Sequence, residues 1–404
     1  MPAAGTAAPR GPSGALLAAF VLAGVATTLA GPLLPWFAAR WGLQDRQLGA
    51  FFVVQFLASL GGVLLSGLLL PRGRFRLLLV SGLLLLAGGV SALALDTMAV
   101  ALGAVGCYGL GLGLVIPTGN LLTARQAAPD SAAALNLLNF AWGVGAVASS
   151  GLVALALRQP HPGAVLVAFG GACGLAAAAA WAGHPAGGAT FDLPSPRRAR
   201  RRSGAWLALA LLFFLYVGVE NVIGGWIAAL ARRMGLGGAL WLLPAALFWA
   251  GLLGGRVTAP LVLRRIPSLR LARWAMALAL GGMAALAGLF AARAAGGRAS
   301  SALWIDASAF LCGAGLSVVF PEIVSLLSPG RPEARPPAMA EPLLFVPAAL
   351  GGAVLPWLFG AISQQTGGPL VALVVPIAGG LGIFFALPAC ARRRRAAAAA
   401  AAGG

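Results

Sequence analysis

The sequence predicts an all-α integral membrane protein with twelve transmembrane helices in two pseudo-symmetric six-helix bundles. Three observations carry this prediction. The 404 residues are 60% hydrophobic and 9% charged, with a mean hydropathy of +0.92, whereas a soluble domain carries about 25% charged residues. Long apolar runs, nearly free of charge, recur from end to end. Such runs match helices that cross hydrocarbon, and their continuity excludes the alternating pattern of a barrel. Finally, the second half of the chain echoes the first.

Taken in order, residues 1–13 read as a disordered tail without a cleavage site. Six runs follow at 14–37, 47–70, 76–95, 97–122, 131–157 and 163–182, and form an N-terminal bundle over 14–183. Residues 184–204 contain Pro, Gly and five Arg and read as a basic linker that can meet anionic headgroups. Six more runs, 205–230, 240–263, 270–292, 301–327, 338–362 and 368–389, form a second bundle over 205–390. The Arg/Ala-rich stretch 391–404 reads as a disordered tail.

All 28 basic residues are Arg, which with the Ala, Gly and Pro content points to a GC-rich bacterial genome. Their placement sets orientation. With alternating spans, 20 fall on the side of the termini, 7 on the other, and Arg256 lies inside a span. Basic loops stay cytoplasmic, so both termini are expected in the cytoplasm of a bacterial inner membrane. The net charge of +19 is therefore a topology signal, with no nucleic-acid partner implied. The four Cys lie in four different runs without metal or disulfide spacing and read as small core residues.

The repeat appears as four matches in one order. Trp36–Leu43 (WFAARWGL) echoes Trp226–Leu236 (WIAALARRMGL), and Leu60–Val63 (LGGV) echoes Leu253–Arg256 (LGGR). Gly111–Leu114 (GLGL) echoes Gly313–Leu316 (GAGL), each with a Pro downstream, Pro117 and Pro321. Gly143–Val147 (GVGAV) echoes Leu350–Val354 (LGGAV). A repeat of even helix number keeps both copies in one orientation, the arrangement of carriers that rock around a central site.

Candidate site residues are the polar groups inside the runs. Glu220 sits mid-run in Leu211–Arg233, with Tyr216 four residues before it and Asn221, Gly224, Gly225 and Trp226 after it. Ionisable groups in hydrocarbon normally face a cavity or a partner. The Gly pair predicts a discontinuous or bending helix lining a substrate path. Glu220 then binds substrate or carries a proton; the structural alternative is a pairing with a neighbouring helix. Asn120, Asn136 and Asn139 suit sugar hydroxyls or, equally, interhelical hydrogen bonds. Trp142 could stack on a sugar ring or face lipid. Trp36 and Trp226 could cap the site from outside or belong to an interfacial belt. Arg256 and Glu322, in the cytoplasmic thirds of their runs, are expected to form a latch, with Arg264 and Arg265 as alternative partners for Glu322. Asp306, Gln55, Gln364 and Gln365 are weaker candidates, and His161 and His184 fall in loops.

Taken together, the chain resembles the major facilitator superfamily. Within it, Gly111–Asn120, Leu135–Asn139 with Trp142, Tyr216–Glu220 with Gly225 and Trp226, Gly255 with Arg256, and Gly351, Gly352, Pro356 and Gly360 are similar to the fucose-permease group of sugar porters. The resemblance implies a major facilitator fold and transport of a small polar solute, a sugar or polyol, by a rocker-switch. There are departures. The carboxylates of proton-coupled fucose permeases fall at Gly31 and Ile116. The superfamily's Asp-Arg loop falls at Gly67–Arg76, where Pro71 takes the place of the Asp; Arg72 and Arg74 remain to bind the cytoplasmic end of the eleventh run.

The competing reading is an efflux carrier for drugs or organic cations, since a lone acid among aromatics also suits a cation. An enzyme is disfavoured because the runs contain no His and no acidic pair at helical spacing. There is no GxxxxGK phosphate loop for ATP-driven transport. No cofactor and no metal site is expected. The expected partners are a small-molecule substrate, the bilayer and, through Glu220, protons, with the chain acting as a monomer.

Overall fold

The computed structural model describes residues 12–127, 131–183, 203–296, 302–326 and 345–402, so the first eleven residues and all but the last two of the linker expected at 184–204 lie outside the described part. The helices are α1 (Gly14–Thr28), α2 (Ala30–Trp41), α3 (Asp45–Leu69), α4 (Phe75–Ala92), α5 (Met98–Gln126), α6 (Ser131–Leu157), α7 (Pro162–Gly183), α8 (Ser203–Arg233), α9 (Leu243–Leu263), α10 (Ser268–Ala294), α11 (Ala302–Leu316), α12 (Val319–Ser325), α13 (Phe345–Gln365), α14 (Pro369–Ala372) and α15 (Val374–Ala402). Among the described residues, eleven stretches are long and apolar enough to cross a membrane, and α1 with α2, bent by 43°, makes a twelfth if the pair is one span.

Proline explains the breaks. A proline within a helix deprives the carbonyl four residues earlier of its donor and presses its ring against it. Pro32 does this at Thr28, where α1 gives way to α2; Pro321 does it at Ser317, between α11 and α12; Pro376 does it at Ala372, between α14 and α15. Pro117 lies inside α5 without breaking it, and the Ser66 hydroxyl donates to the freed Gly113 carbonyl at 3.1 Å; Pro35, Pro260, Pro356 and Pro388 likewise lie within unbroken helices.

The two sets of helices pack alike. In the first, α1 packs on α6, α3 on α5, and α4 on α5 and α7; in the second, α8 packs on α13, α9 on α11, and α10 on α11 and α15. The repeated motifs are the seams of these pairs. A Cβ on Gly113 would lie 2.1 Å from the Ser59 carbonyl oxygen of α3, and one on Gly313, in the matching motif but not at the matching position, would lie 1.9 Å from that of Phe248 on α9. Likewise a Cβ on Gly145 would meet the Val21 oxygen at 1.9 Å, and one on Gly351 the Phe214 oxygen at 1.9 Å. Small residues let helix backbones touch where lipid supplies no hydrophobic drive.

Two expectations are corrected. The seventh run is neither discontinuous nor sharply bent: α8 is one helix from Ser203 to Arg233. Its Gly pair serves close approach instead. A Cβ on Gly224 would press on Phe248 and Trp249 of α9, and one on Gly225 on Phe52 of α3. The final tail is helical through Ala402 as the end of α15, in keeping with alanine's helix propensity.

The two sets meet through α2 on α8, α3 on α13 and α6 on α9. Much of this joint lies at the end remote from the termini, where a Cβ on Gly31 would stand 2.7 Å from the Gly225 oxygen and one on Gly360 would stand 2.4 Å from that of Asp45. At the end near the termini, Asn136, Leu137, Asn139 and Phe140 on α6 and Val257 and Leu261 on α9 are exposed.

Candidate functional site at mid-span

Glu220 stands at the midpoint of the span Leu207–Arg233. Helical spacing puts Tyr216 on the same face, and its hydroxyl donates to Glu220 Oε2 at 2.5 Å. Tyr216 is buried at 1% exposure, while Glu220 remains partly exposed. The Arg256 guanidinium of α9 acts electrostatically on both. No direct ion pair joins Arg256 to a carboxylate among the described residues, and its Nε is buried without a hydrogen-bond partner.

This placement differs from the latch expected between Arg256 and Glu322. Glu322 is buried at 6% exposure on α12 and forms no ion pair among the described residues. Arg256 instead belongs with Tyr216 and Glu220. The run counts made Arg256 cytoplasmic, but arginine's long stem leans back along its helix toward the N-terminus of α9, and so toward mid-span.

The remaining candidates divide. Trp142 reaches the centre: it packs edge-on against Trp249 of α9 with centroids 5.9 Å apart, and its Nε1 donates to Thr27 Oγ1 at 3.3 Å. Trp226 is fully buried, packs on Phe52 and Phe359, and donates to the Pro356 carbonyl at 3.1 Å. It is a wedge between the two sets of helices. Asn221 and Asn139 donate to carbonyls of their own helices, Val217 and Leu135, each at 2.8 Å. Asn136 is exposed toward the terminal end of α6, and Asn120 is partly exposed in the last turns of α5. Trp36 is not at the centre. Arg40 lies over it at 4.7 Å, and it lines a separate surface cavity of ≈ 520 Å³ with Ala94 and His161. Arg72 donates to the Leu68 carbonyl of its own turn, and Arg74 precedes α4 as an exposed residue.

One group ranked only as a weaker candidate from sequence, and one was missed. Gln55 is 3% exposed and ties α1 to α5, donating to the Thr27 carbonyl at 2.8 Å and accepting from Tyr108 at 3.2 Å. At the end remote from the termini, Arg233 of α8 forms a two-point ion pair with Asp45 of α3. Ser363 of α13 donates to Asp45 Oδ2 at 2.5 Å and accepts from Arg233 at 3.3 Å. Gln364 bonds Gln44 and accepts from the Arg46 amide, and Arg232 donates to the Pro35 carbonyl at 3.0 Å. In sequence these looked like loop charges; the visible signal was an Asp at the start of the second span and an Arg at the end of the seventh.

Twelve candidate spans in two matching sets, with a polar cluster at mid-span of α8, define a polytopic helical membrane protein. The match to the model of the Major Facilitator Superfamily covers residues 16–339, and the chain belongs to that superfamily, whose members transport solutes and are not enzymes. Among solved structures it is similar to the fucose–proton symporter FucP of E. coli (19% identity, TM-score 0.60, covering 94% of this chain and 97% of that one). It is also similar to the xylose transporter XylE of E. coli in a partially occluded inward-open conformation (15%, 0.72, 92% and 95%), and to a peptide transporter, POT, in complex with sulfate (15%, 0.73, 96% and 97%). At these identities the likeness shows the fold. No curated protein sequence matches the chain.

Proposed function

We propose that this transporter carries a small polar solute, a sugar or a sugar derivative, by alternating access around Glu220, across a bacterial inner membrane with both termini cytoplasmic. The observation that carries the reading is the cluster of Tyr216, Glu220 and Arg256, with Trp142 and Trp249, at mid-span where the two sets of helices meet. Hydroxyls of a polyol can donate to a carboxylate and accept from a guanidinium, and an aromatic face can cover the apolar side of a ring. The similarity to the fucose and xylose transporters supports this class. In this orientation the Asp45–Arg233–Ser363 network is an outer gate, closed here, while the exposed ends of α6 and α9 face inward. The permease acids have no equivalent at Gly31 and Ile116, so Glu220 is the candidate for coupling to protons. A drug or organic-cation carrier fits less well, because Arg256 places positive charge beside the acid.

The test is counterflow in proteoliposomes with Glu220→Gln across a range of pH. The expected outcome is at least a tenfold loss of transport, or retention of exchange without pH dependence. Wild-type rates at every pH remove Glu220 from the mechanism.

A further inference from the structure

The central cluster holds two hydrogen-bond donors that the protein itself leaves unused. Trp249 of α9 is 3% exposed, yet its indole Nε1 has no partner. Trp142 and Trp226, the other indoles at the junction, are both satisfied. Trp41 Nε1 is likewise unpartnered, but it sits in the aromatic group of Trp36 and Phe37 at the outer end. The Trp249 ring edge bearing the nitrogen faces α8: its Cζ2 is 2.9 Å from where a Cβ on Gly224 would stand. Gly224 is one turn beyond Glu220, on the same face.

The second donor is Arg256, two turns along α9 from Trp249 and therefore on the same face. Its side chain leans back toward Trp249. Its Nε is buried and unpartnered, and no carboxylate of the described residues is within ion-pair distance. The nearby acid, Glu220, already accepts from Tyr216. A guanidinium inside a membrane without an anion in contact is costly, and a buried donor left unpaired costs about 1–3 kcal/mol.

Resting on the polar-solute reading above, we infer that the substrate carries a carboxylate, held by Trp249 Nε1 and Arg256 on α9, while its hydroxyls face Glu220 and Tyr216 on α8. One carboxylate offers two acceptor oxygens to an indole N–H and a guanidinium, and charge-assisted bonds of this kind are roughly twice as strong as neutral ones. A neutral sugar would satisfy the donors but leave the guanidinium without a contacting counter-charge. The chemical class is a sugar acid.

The experiment measures binding to purified protein in detergent by thermal shift and calorimetry, using matched pairs that differ in the acid: glucuronate with glucose, galacturonate with galactose, and gluconate with sorbitol. At least one acid should bind about tenfold or more tightly than its neutral partner. Trp249→Phe keeps the ring and removes the donor; it should weaken the acid about tenfold and its neutral partner less. Arg256→Gln should abolish the preference, and Arg256→Lys should restore part of it. If a neutral sugar binds as well as or better than its acid, or if neither variant alters acid binding, the carboxylate inference falls and the polar-solute reading stands. If no member of any pair binds while tetraphenylphosphonium does, both fall.

Discussion

At the level of single residues, the protein separates polar groups that it satisfies from polar groups that it leaves open. Gln55 is of the first kind. It is nearly inaccessible and spends both ends of its amide on Thr27 and Tyr108. Gln55→Leu would strand the Tyr108 hydroxyl and the Thr27 carbonyl, so a loss of about 1–3 kcal/mol is expected. A thermal-shift assay of the purified variant should show a clear drop in melting temperature, and an unchanged value would mean that the network adds no stability. Arg256 and Trp249 are of the second kind: Arg256 Nε and Trp249 Nε1 are buried donors without a partner. Sequence alone picked out Glu220 and Tyr216, because a carboxylate in an apolar run is conspicuous and four residues is one helical turn. It could not pick out Trp249, since an indole in an apolar run looks like any other core aromatic. Only the packing of α8 against α9 shows that its N–H is unspent.

At the level of helices, composition marks where backbones touch but not what a touch does. The Gly pair in α8 looked like a hinge, and it is a contact surface for α9 and α3. Gly31 gives the clearest consequence. A fucose-permease carboxylate would belong there, yet the position faces the Gly225 backbone, with a Cβ 2.7 Å from its oxygen and 2.9 Å from its Cα. Backbone cannot move aside as a side chain can. Gly31→Ala should therefore cost about 1–3 kcal/mol by overpacking and prise α2 from α8. Gly31→Asp should cost more and restore no coupling. Melting temperature and transport of the two variants check this; a functional Gly31→Asp protein of normal stability would contradict the contact. Pro32 and Pro321 stand at helix breaks, whereas Pro117 lies in an unbroken helix with its freed Gly113 carbonyl met by Ser66 of a different helix.

At the level of the whole molecule, the two sets of helices are held at the end remote from the termini by Asp45, Arg233 and Ser363. The pair is partly exposed, at 34% for the Arg233 side chain and 11% for that of Asp45, so its contribution is about 1 kcal/mol, a roughly fivefold change in a two-state equilibrium. Asp45→Asn should shift the population toward an outward-open form by that amount. Spin labels at Gln47 and Thr366, in a background lacking the four native cysteines, should then show more of a longer distance. An unchanged distribution would remove this ion pair from gating.

The sequence by itself determined the spans, the repeat and the presence of an acid at mid-membrane. Hydrocarbon tolerates only apolar helices of fixed length, and small-residue seams recur wherever two helices must touch. What joins what across the two sets was decided by the tertiary structure alone. Arg256 meets Tyr216 and Glu220 instead of pairing with Glu322, and Asp45 meets Arg233 and not another group at the same surface. These contacts lie far apart along the chain, and helical periodicity sets which face a residue occupies without fixing which helix stands opposite.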